Sequence, residues 1–188
     1  MTIPAKEIGS HLDKFLKNSS LVYQGVRFDL RRSEFLTKNG QLKAYEALIH
    51  PGAAVILPLM DQDSIVMIRN KRIAIGETIW ELPAGTLEHK EEPAASALRE
   101  LAEETGYQAE SIQLLTTFYS SPGISNEVMH AFVAKDLHFV GQKLDAGEVI
   151  TPEILPWTQV MKMIHSGEIR DAKTILTLLF YRVYQSDK

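Results

Sequence analysis

The chain has 188 residues, 45% of them hydrophobic, and a formal net charge of −4 at pH 7. This length and composition predict one principal domain with a real core, and the acidic balance argues against a nucleic-acid-binding surface. Because cysteine is absent, and because neither a signal peptide nor a long apolar run is recognisable, we expect a cytoplasmic protein without disulfides, thiolate metal sites or membrane association.

The N-terminal part of the chain predicts an arm. Residues 1–19 are predicted to form a short amphipathic helix, followed by strands at 22–28 and 42–49. Between the strands, Asn39-Gly40 predicts a hairpin turn, because both residues tolerate positive φ. The arm has few apolar positions, so we expect it to need a partner surface such as a second subunit.

The remainder of the chain predicts alternating strands and helices. Strands are predicted at 54–57, 64–69, 79–82, 114–118, 128–134 and 150–155, and two closing helices at 158–166 and 173–184. A further helix should begin near Pro93, which suits a first helical turn, and end at Gly106, a typical C-cap residue. These elements predict an α+β fold, an α/β/α sandwich in which helices cover a mixed sheet.

The helix after Pro93 has an apolar pattern with a period near 3.6. We therefore expect one face to be buried and the glutamates to lie on another side. The apolar positions are Ala94, Ala97, Leu98 and Leu101.

Three glutamates of the same helix form an acidic cluster. Glu100, Glu103 and Glu104 are spaced i, i+3 and i+4, so they share one helical face. Like charges at these spacings destabilise an isolated helix by roughly 0.2–0.5 kcal/mol per pair, and a bound cation should compensate. Crowded oxygen ligands suit Mg²⁺ or Mn²⁺. Taken alone, such a helix is more often a solvated face.

The wider spacing is much more specific. The segment fits the pattern Gly-x5-Glu-x7-Arg-Glu-aliphatic-x-Glu-Glu-x-Gly-aliphatic. Its matched positions are Gly85, Glu91, Arg99, Glu100, Leu101, Glu103, Glu104 and Gly106. This resembles the signature of the Nudix hydrolases, and the one departure is Tyr107, where a smaller aliphatic residue is usual. The departure bears on packing rather than on chemistry.

The resemblance implies a metal site and its chemistry. Glu100, Glu103, Glu104 and the carbonyl of Ala84 would bind Mg²⁺ or Mn²⁺, and Glu103 and Glu104 would thereby be catalytic. Arg99, also implied to be catalytic, would orient the glutamates through charge-assisted hydrogen bonds. The ions would polarise a pyrophosphate, activate water and neutralise the leaving phosphate.

Two further positions are implied to support this site. Glu91 would be an outer partner of the Arg99 network. Gly85 would let the loop enter the helix at a tight angle.

Three features resemble the ADP-ribose and nucleoside diphosphate sugar pyrophosphatase branch of this family. The segment Trp80-Glu81-Leu82-Pro83-Ala84-Gly85 is similar to that branch's approach to the signature, and Pro122 stands sixteen positions after Gly106. The N-terminal strands resemble the antiparallel dimerising arm of these enzymes. The resemblance therefore implies a homodimer, with residues 1–50 as the arm and 51–188 as the catalytic domain.

Substrate contacts are predicted outside the signature. Arg69 and Arg72 could hold diphosphate oxygens, with a plain surface role as the alternative. Glu81 and Glu127 fit polar positions near the sugar or ribose pocket of the family. The remaining candidates are aromatic: Tyr23 and Phe28 could stack on a base across the dimer, although burial in the core is the favoured interpretation.

A general base is expected on a mobile loop distant from the signature. The loop 144–149 offers two carboxylates. Glu148 fits the acidic position of the family best and is the predicted catalytic base, with Asp145 as the alternative. A solvated acidic loop is the third interpretation.

Together these features predict an enzyme that hydrolyses the diphosphate of nucleoside diphosphate sugars, such as ADP-ribose or GDP-mannose. The products would be a nucleoside monophosphate and a sugar phosphate. Three alternatives stay open: a catalytically silent Nudix sensor of the same ligands, a pyrophosphohydrolase of other nucleotides, and a structural acidic-helix protein. The complete glutamate set argues against the sensor, and the branch features argue against other nucleotides.

Overall fold

The computed structural model describes residues 12–186, except for the side chains of residues 184–186. Residues 12–17 are helical (α1), while the earlier part of the predicted N-terminal helix lies outside the described residues. The chain divides into two compact units. The first comprises the residues up to Pro51 together with Tyr119–Glu127, and the second comprises Gly52–Phe118 and the residues from Val128 on. The predicted assignment of residues 1–50 to dimerisation and of 51–188 to catalysis stays a prediction.

The first unit contains an antiparallel sheet of three strands in the order β1-β2-β3. The strands are β1 (Ser19–Gln24), β2 (Asp29–Leu36) and β3 (Leu42–Ile49). The predicted strand at 42–49 is confirmed, and so is the turn before it, where Gly40 has a φ of 74°.

The predicted strand at 22–28 is wrong in its extent, and β2 was not predicted as a separate strand. The chain turns after β1, since the N–H of Gly25 donates to the carbonyl of Phe28 at 3.0 Å. The charged residues of β2 interrupt the alternation of apolar and polar residues by which a strand is recognised: Arg31, Arg32 and Glu34. Arg31 is nonetheless held in place, because its guanidinium donates to the hydroxyl of Ser19 at 2.9 Å.

The second unit contains two sheets, with the strand orders β7-β4-β9-β8 and β10-β5-β6. Strands β4 and β9 pair in parallel, whereas β4–β7, β5–β6 and β5–β10 pair antiparallel, so the predicted mixed arrangement is confirmed. The strands are β4 (Ala53–Pro58), β5 (Ser64–Arg72), β6 (Glu77–Glu81), β7 (Ala84–Thr86), β8 (Tyr107–Tyr119), β9 (Val128–Phe139) and β10 (Ile150–Pro156). Strands β5, β8 and β9 extend beyond their predicted ranges, and β7 was not predicted.

Three helices accompany these sheets: α2 (Pro93–Thr105), α3 (Trp157–Ser166) and α4 (Ala172–Ser186). As predicted, α2 begins at Pro93 and is capped by Gly106, whose φ of 77° is left-handed and whose N–H donates to the carbonyl of Ala102. Among the described residues, no helix is long and apolar enough to span a membrane.

Strand β4 is buried on both sides and forms the centre of the second unit. Val55 and Leu57 belong to one apolar cluster, which includes residues of α3 and α4. Ile56 belongs to another cluster with Ala97 and Leu101 of α2. Because successive strand residues point to opposite faces, helices cover both faces of β4. The α+β fold predicted from the sequence is therefore confirmed.

Candidate active site

The loop between β6 and β7 brings the chain against helix α2. The N–H of Ala84 donates to Oε2 of Glu104 at 2.8 Å. Gly85 lies so close to α2 that an added Cβ would stand 1.8 Å from Oε1 of Glu100. No φ in the left-handed region is involved at this glycine. The resemblance implied that Gly85 lets the loop enter the helix at a tight angle. In the structure, a glycine is needed because the backbone comes close to the carboxylate of Glu100.

Arg99 is the centre of the ionic network on α2. Its Nε and Nη2 donate to the two oxygens of Glu91 at 2.9 and 3.0 Å. Its Nη1 donates to Glu100 at 2.7 Å and to Glu103 at 2.9 Å. Such paired contacts use the fixed fork of the guanidinium, which a lysine could not reproduce. The structure thus brings together four charged residues that the sequence predicted to act together.

The position of Glu104 differs from the expectation for the helix. Its carboxyl-bearing side chain is only 3% exposed, and it lies on the same side of α2 as the buried Ala97 and Leu101. Ala94 and Leu98, which were predicted to be buried, are exposed instead. The expectation that all three glutamates avoid the buried face is therefore wrong for Glu104, which turns into the protein toward Ala84.

The electrostatics of the cluster follow from burial and from Arg99. Burial raises the pKa of Glu104 to about 8, and burial also raises the pKa of Glu100. In contrast, the hydrogen bonds from Arg99 lower the pKa of Glu91 to about 2. A carboxyl whose charged form is disfavoured by burial is stabilised as an anion by a nearby cation. Arg99 therefore stabilises the charged form of Glu91 fully, whereas the charged forms of Glu100 and Glu104 lack enough compensating positive charge nearby.

The donor set suits a hard divalent cation. Three carboxylates and a backbone carbonyl offer oxygen ligands alone, as Mg²⁺ and Mn²⁺ prefer. Among the residues that the structure describes, no three acidic or histidine side chains stand ready to hold an ion together. Arg99 bonds Glu100 and Glu103 in this arrangement, so an ion would replace part of these contacts.

Arg69 and Arg72 both lie in β5, Arg72 as its last residue. The guanidinium of Arg69 stands over the ring of Trp80, 5.6 Å from its centroid. Arg72 donates through Nε and Nη2 to Glu81 at 2.7 and 2.6 Å. Glu81 is 1% exposed and also accepts from Lys173 at 2.6 Å. Of the predicted substrate residues on these strands, Glu81 is therefore enclosed, and its contacts hold Arg72 in place.

The predicted base lies on the loop that precedes β10. The carboxylate of Glu148 accepts from the N–H of Asp145 at 3.0 Å and is exposed. Its negative charge contributes to the raised pKa values of Glu100 and Glu104. Because charge effects weaken with distance, this contribution is consistent with a position of Glu148 near Glu100 and Glu104.

A residue that the sequence did not single out ties this loop to α2. Gln142 donates from Nε2 to the carbonyl of Glu104 at 2.7 Å and to that of Ile150 at 3.2 Å. The N–H of Lys143 donates to the carbonyl of Glu103 at 3.1 Å. No pattern in the sequence announces contacts of a polar loop with the last turn of a helix.

The first unit carries the other predicted substrate residues. Tyr23 on β1 is 60% exposed, and Phe28 in the following turn is 42% exposed. Burial in the core of this unit, which the sequence favoured over base stacking for both, is therefore wrong. Glu127 accepts a hydrogen bond from the hydroxyl of Ser120, and its Oε1 lies 3.5 Å from Nδ1 of His50. Their roles toward a substrate stay predictions.

Comparison with known proteins identifies the family of the chain. The family model described as NUDIX domain matches residues 49–178. The chain therefore belongs to the Nudix family, whose members generally need a divalent metal. The membership inferred from the signature is confirmed.

Several curated relatives resemble nearly the whole chain. An ADP-ribose pyrophosphatase of Bacillus subtilis (strain 168) is 35% identical, over 88% of this chain and 90% of that protein. A GDP-mannose pyrophosphatase of Citrobacter koseri is 33% identical, with 88% and 90% covered. A methanol dehydrogenase activator of Bacillus methanolicus is 32% identical, with 89% and 91% covered. The first two names belong to the branch that the sequence predicted.

A solved structure described as "Crystal structure of ADP compounds hydrolase" has a similar fold. Its TM-score is 0.79 at 22% sequence identity, and the match covers 90% of this chain and 92% of that one. The likeness supports the α+β architecture at the level of the fold.

Proposed function

We propose that the protein is a divalent-metal-dependent pyrophosphatase that hydrolyses nucleoside diphosphate sugars to a nucleoside monophosphate and a sugar phosphate. The observation that carries this proposal is the close approach of Glu100 and Glu104, two carboxyls with raised pKa, to Ala84 and Gly85 at the start of β7. The names of the relatives, ADP-ribose pyrophosphatase and GDP-mannose pyrophosphatase, support the substrate class.

In this proposal, Glu100, Glu103, Glu104 and the carbonyl of Ala84 hold Mg²⁺ or Mn²⁺. When bound, such an ion supplies charge stabilisation for the diphosphate and a more acidic bound water. Glu103 is the most exposed of the three glutamates, at 33% of its side chain, so it can turn from Arg99 to a ligand at little cost. Arg99 retains Glu91, which keeps the guanidinium in the site.

The remaining roles concern the substrate. Arg69 and Arg72 would bind diphosphate oxygens, and Glu81 supports the sugar pocket through Arg72, whose guanidinium it holds. Glu148 would take a proton from the attacking water, a step that needs a carboxylate facing the metal cluster. Glu127 would accept hydrogen bonds from a ribose or sugar hydroxyl, because an ionised carboxylate is only an acceptor.

We also propose that the protein acts as a cytoplasmic homodimer through residues 1–50. The first unit exposes large apolar side chains that a partner could cover: Leu21, Val22, Tyr23, Val26, Phe35, Leu36 and Leu42. Tyr23 and Phe28 would then stack on the base in the dimer. Sedimentation equilibrium tests this assembly, and a monomer at micromolar concentration would contradict it.

The test of the function is phosphate release from a substrate panel with Mg²⁺ and a coupled phosphatase. The panel contains ADP-ribose, GDP-mannose, ADP-glucose, UDP-glucose and 8-oxo-dGTP. We expect turnover of one or more sugar diphosphates. Turnover of 8-oxo-dGTP alone would contradict the substrate class, and binding of ADP-ribose without turnover would favour the silent sensor.

One relative points to a second candidate function, the regulation of another enzyme. It is the 32% identical protein named methanol dehydrogenase activator. A dehydrogenase assay with and without the protein tests this candidate. If Glu104→Gln abolished any stimulation together with turnover, stimulation would depend on hydrolysis.

A further inference from the structure

The start of α4 carries a polar cluster that the predicted chemistry did not use. We call Asp171, Lys173 and Thr174 the α4 cluster. Oδ2 of Asp171 accepts from the N–H of Thr174 at 3.0 Å, from its hydroxyl at 2.6 Å and from Nζ of Lys173 at 2.9 Å. Asp171 therefore acts as an N-cap residue, and it also fixes the direction of both neighbouring side chains.

The α4 cluster contacts the segment that leads from β6 into β7. The hydroxyl of Thr174, having donated its hydrogen to Asp171, accepts the N–H of Leu82 at 2.8 Å. Thr174 and Leu82 are both fully buried. Since a buried backbone N–H without a partner is costly, Thr174 satisfies a need that water could not meet there.

A second contact joins the α4 cluster to the neighbouring residue of this segment. Nζ of Lys173 donates to Oε2 of Glu81 at 2.6 Å, beside the bidentate contact from Arg72. Glu81, the residue just before Leu82, is thus held by two cationic side chains, Lys173 and Arg72. Two adjacent residues of the segment therefore depend on α4 for their position.

The other two residues of the segment Glu81–Ala84, Pro83 and Ala84, are also held by hydrogen bonds. The carbonyl of Pro83 accepts from the N–H of Ile56 at 2.9 Å, and the N–H of Ala84 donates to Glu104 at 2.8 Å. Ile56 acts through its backbone, so a side-chain substitution there leaves this bond in place. At Leu82, by contrast, the partner is the hydroxyl of Thr174, which a single substitution removes.

We propose that Thr174 and Lys173 are positioning residues for the hydrolytic site. By fixing the segment Glu81–Ala84, they determine how the carbonyl of Ala84 and the carboxylate of Glu104 meet a divalent ion. They act through these residues and are not catalytic residues themselves. The inference rests on the proposed function, because it takes Ala84 and Glu104 as ligands.

The test compares two buried threonines of the same helix. Thr174→Val removes the hydroxyl that accepts from Leu82 with little change in shape. Thr177→Val is the matched control, because Thr177 is also fully buried and its hydroxyl has no hydrogen-bond partner among the described residues. Thr174→Ser keeps the hydroxyl and should rescue the defect.

The readout is the Kd for Mn²⁺ without substrate, measured from the free-ion signal in electron paramagnetic resonance. Loss of an outer partner of a metal ligand typically costs about 10- to 100-fold in affinity. Thr174 acts more remotely, through the backbone of Leu82, so we expect the Kd to rise by about 10-fold, the lower end of this range, in Thr174→Val. The Kd should be unchanged in Thr177→Val and restored in Thr174→Ser. A lower melting temperature of Thr174→Val with an unchanged Kd would reduce Thr174 to a structural role and overturn the inference.

Lys173→Met provides an independent variant if Thr174→Val does not fold. It removes the ammonium from Glu81 but leaves the hydroxyl bond to Leu82, and we expect a higher Kd for Mn²⁺. An unchanged Kd in this variant would overturn the inference for Lys173. If the unmodified protein bound no Mn²⁺, the proposed function would fail with the inference; if it bound Mn²⁺ as the variants do, only the inference would fail.

Discussion

Glu104 and Ala84 lie 20 residues apart in the chain, and a hydrogen bond of 2.8 Å joins the carboxylate of one to the N–H of the other. The amide occupies one oxygen of a carboxyl that is almost fully buried. A single contact thus couples the start of β7 to the last turn of α2.

The first prediction concerns turnover in Glu104→Gln. The amide oxygen of glutamine can still accept from Ala84, but the side chain no longer supplies an anionic ligand. Mutation of a residue that only supports a metal ligand typically costs about 10- to 100-fold. Because Glu104 is itself a proposed ligand, we expect kcat to fall by about 100-fold or more. The fold should persist, as circular dichroism would check.

Glu110→Gln is the control for this prediction, because Glu110 is an exposed residue of β8. It should retain full activity. Near-normal turnover of Glu104→Gln at saturating Mg²⁺ would remove Glu104 from the metal site.

The second prediction concerns stability against pH in the metal-free protein. Burial raises the pKa of Glu104 from its ordinary value of 4.5 to about 8. The folded protein therefore favours the protonated form, so its contribution to stability is full below pH 4.5 and is lost as pH rises through about 8. Each unit of pKa difference corresponds to about 1.4 kcal/mol. Glu104→Gln cannot lose a proton and should escape this loss.

Urea unfolding in the presence of a chelator, at several values between pH 5 and 8, measures this difference. The free energy of unfolding of Glu104→Gln should increase relative to that of the unmodified protein as pH rises. A difference that stays constant over this window would show that the carboxyl titrates normally. Adding Mg²⁺ should reduce the difference, because a cation stabilises the carboxylate.

Features of the site that depend on neighbouring residues in the chain could be predicted from the sequence, whereas contacts between distant residues could not. The cap at Gly106 and the start at Pro93 are local signals, and both are where the sequence put them. The burial of Glu104 was not predicted, because the apolar period placed the glutamates away from the buried face and gave no sign of the bond to Ala84, 20 residues away. The bond between Leu82 and Thr174 spans 92 residues, and no local pattern reports a contact of that kind.

The third prediction concerns Gly85→Ala. An added Cβ would stand 1.8 Å from Oε1 of Glu100, which is the far end of a side chain and can move aside. We expect the variant to fold with a small loss of melting temperature. The displaced Glu100 would no longer reach its ligand position, so the Kd for Mn²⁺ should rise by about 10-fold or more.

Gly123→Ala is the matched substitution, because an added Cβ at Gly123 meets no atom within 4 Å and its φ is not left-handed. It should alter neither the melting temperature nor the Kd for Mn²⁺. If Gly85→Ala bound Mn²⁺ as tightly as Gly123→Ala, Glu100 would not need its observed position for metal binding.

The fourth prediction separates the two acidic residues of the loop before β10. Glu148 influences the pKa values of Glu100 and Glu104, and Gln142 ties its loop to the last turn of α2. A general base typically contributes 10²–10⁴-fold to a rate, so Glu148→Gln should lower kcat by about 100-fold or more. Asp145→Asn should stay within a few-fold of normal, since Asp145 contacts Glu148 through its backbone N–H.

The pH dependence of kcat distinguishes a base from a structural carboxylate. A base that must be ionised produces a rise of kcat with pH, and Glu148→Gln should lose this rise while it still binds Mn²⁺. The reverse result, a large defect in Asp145→Asn alone, would move the role to Asp145. Normal kcat in both variants would leave a solvated acidic loop, because neither carboxylate would then be needed to take the proton from water.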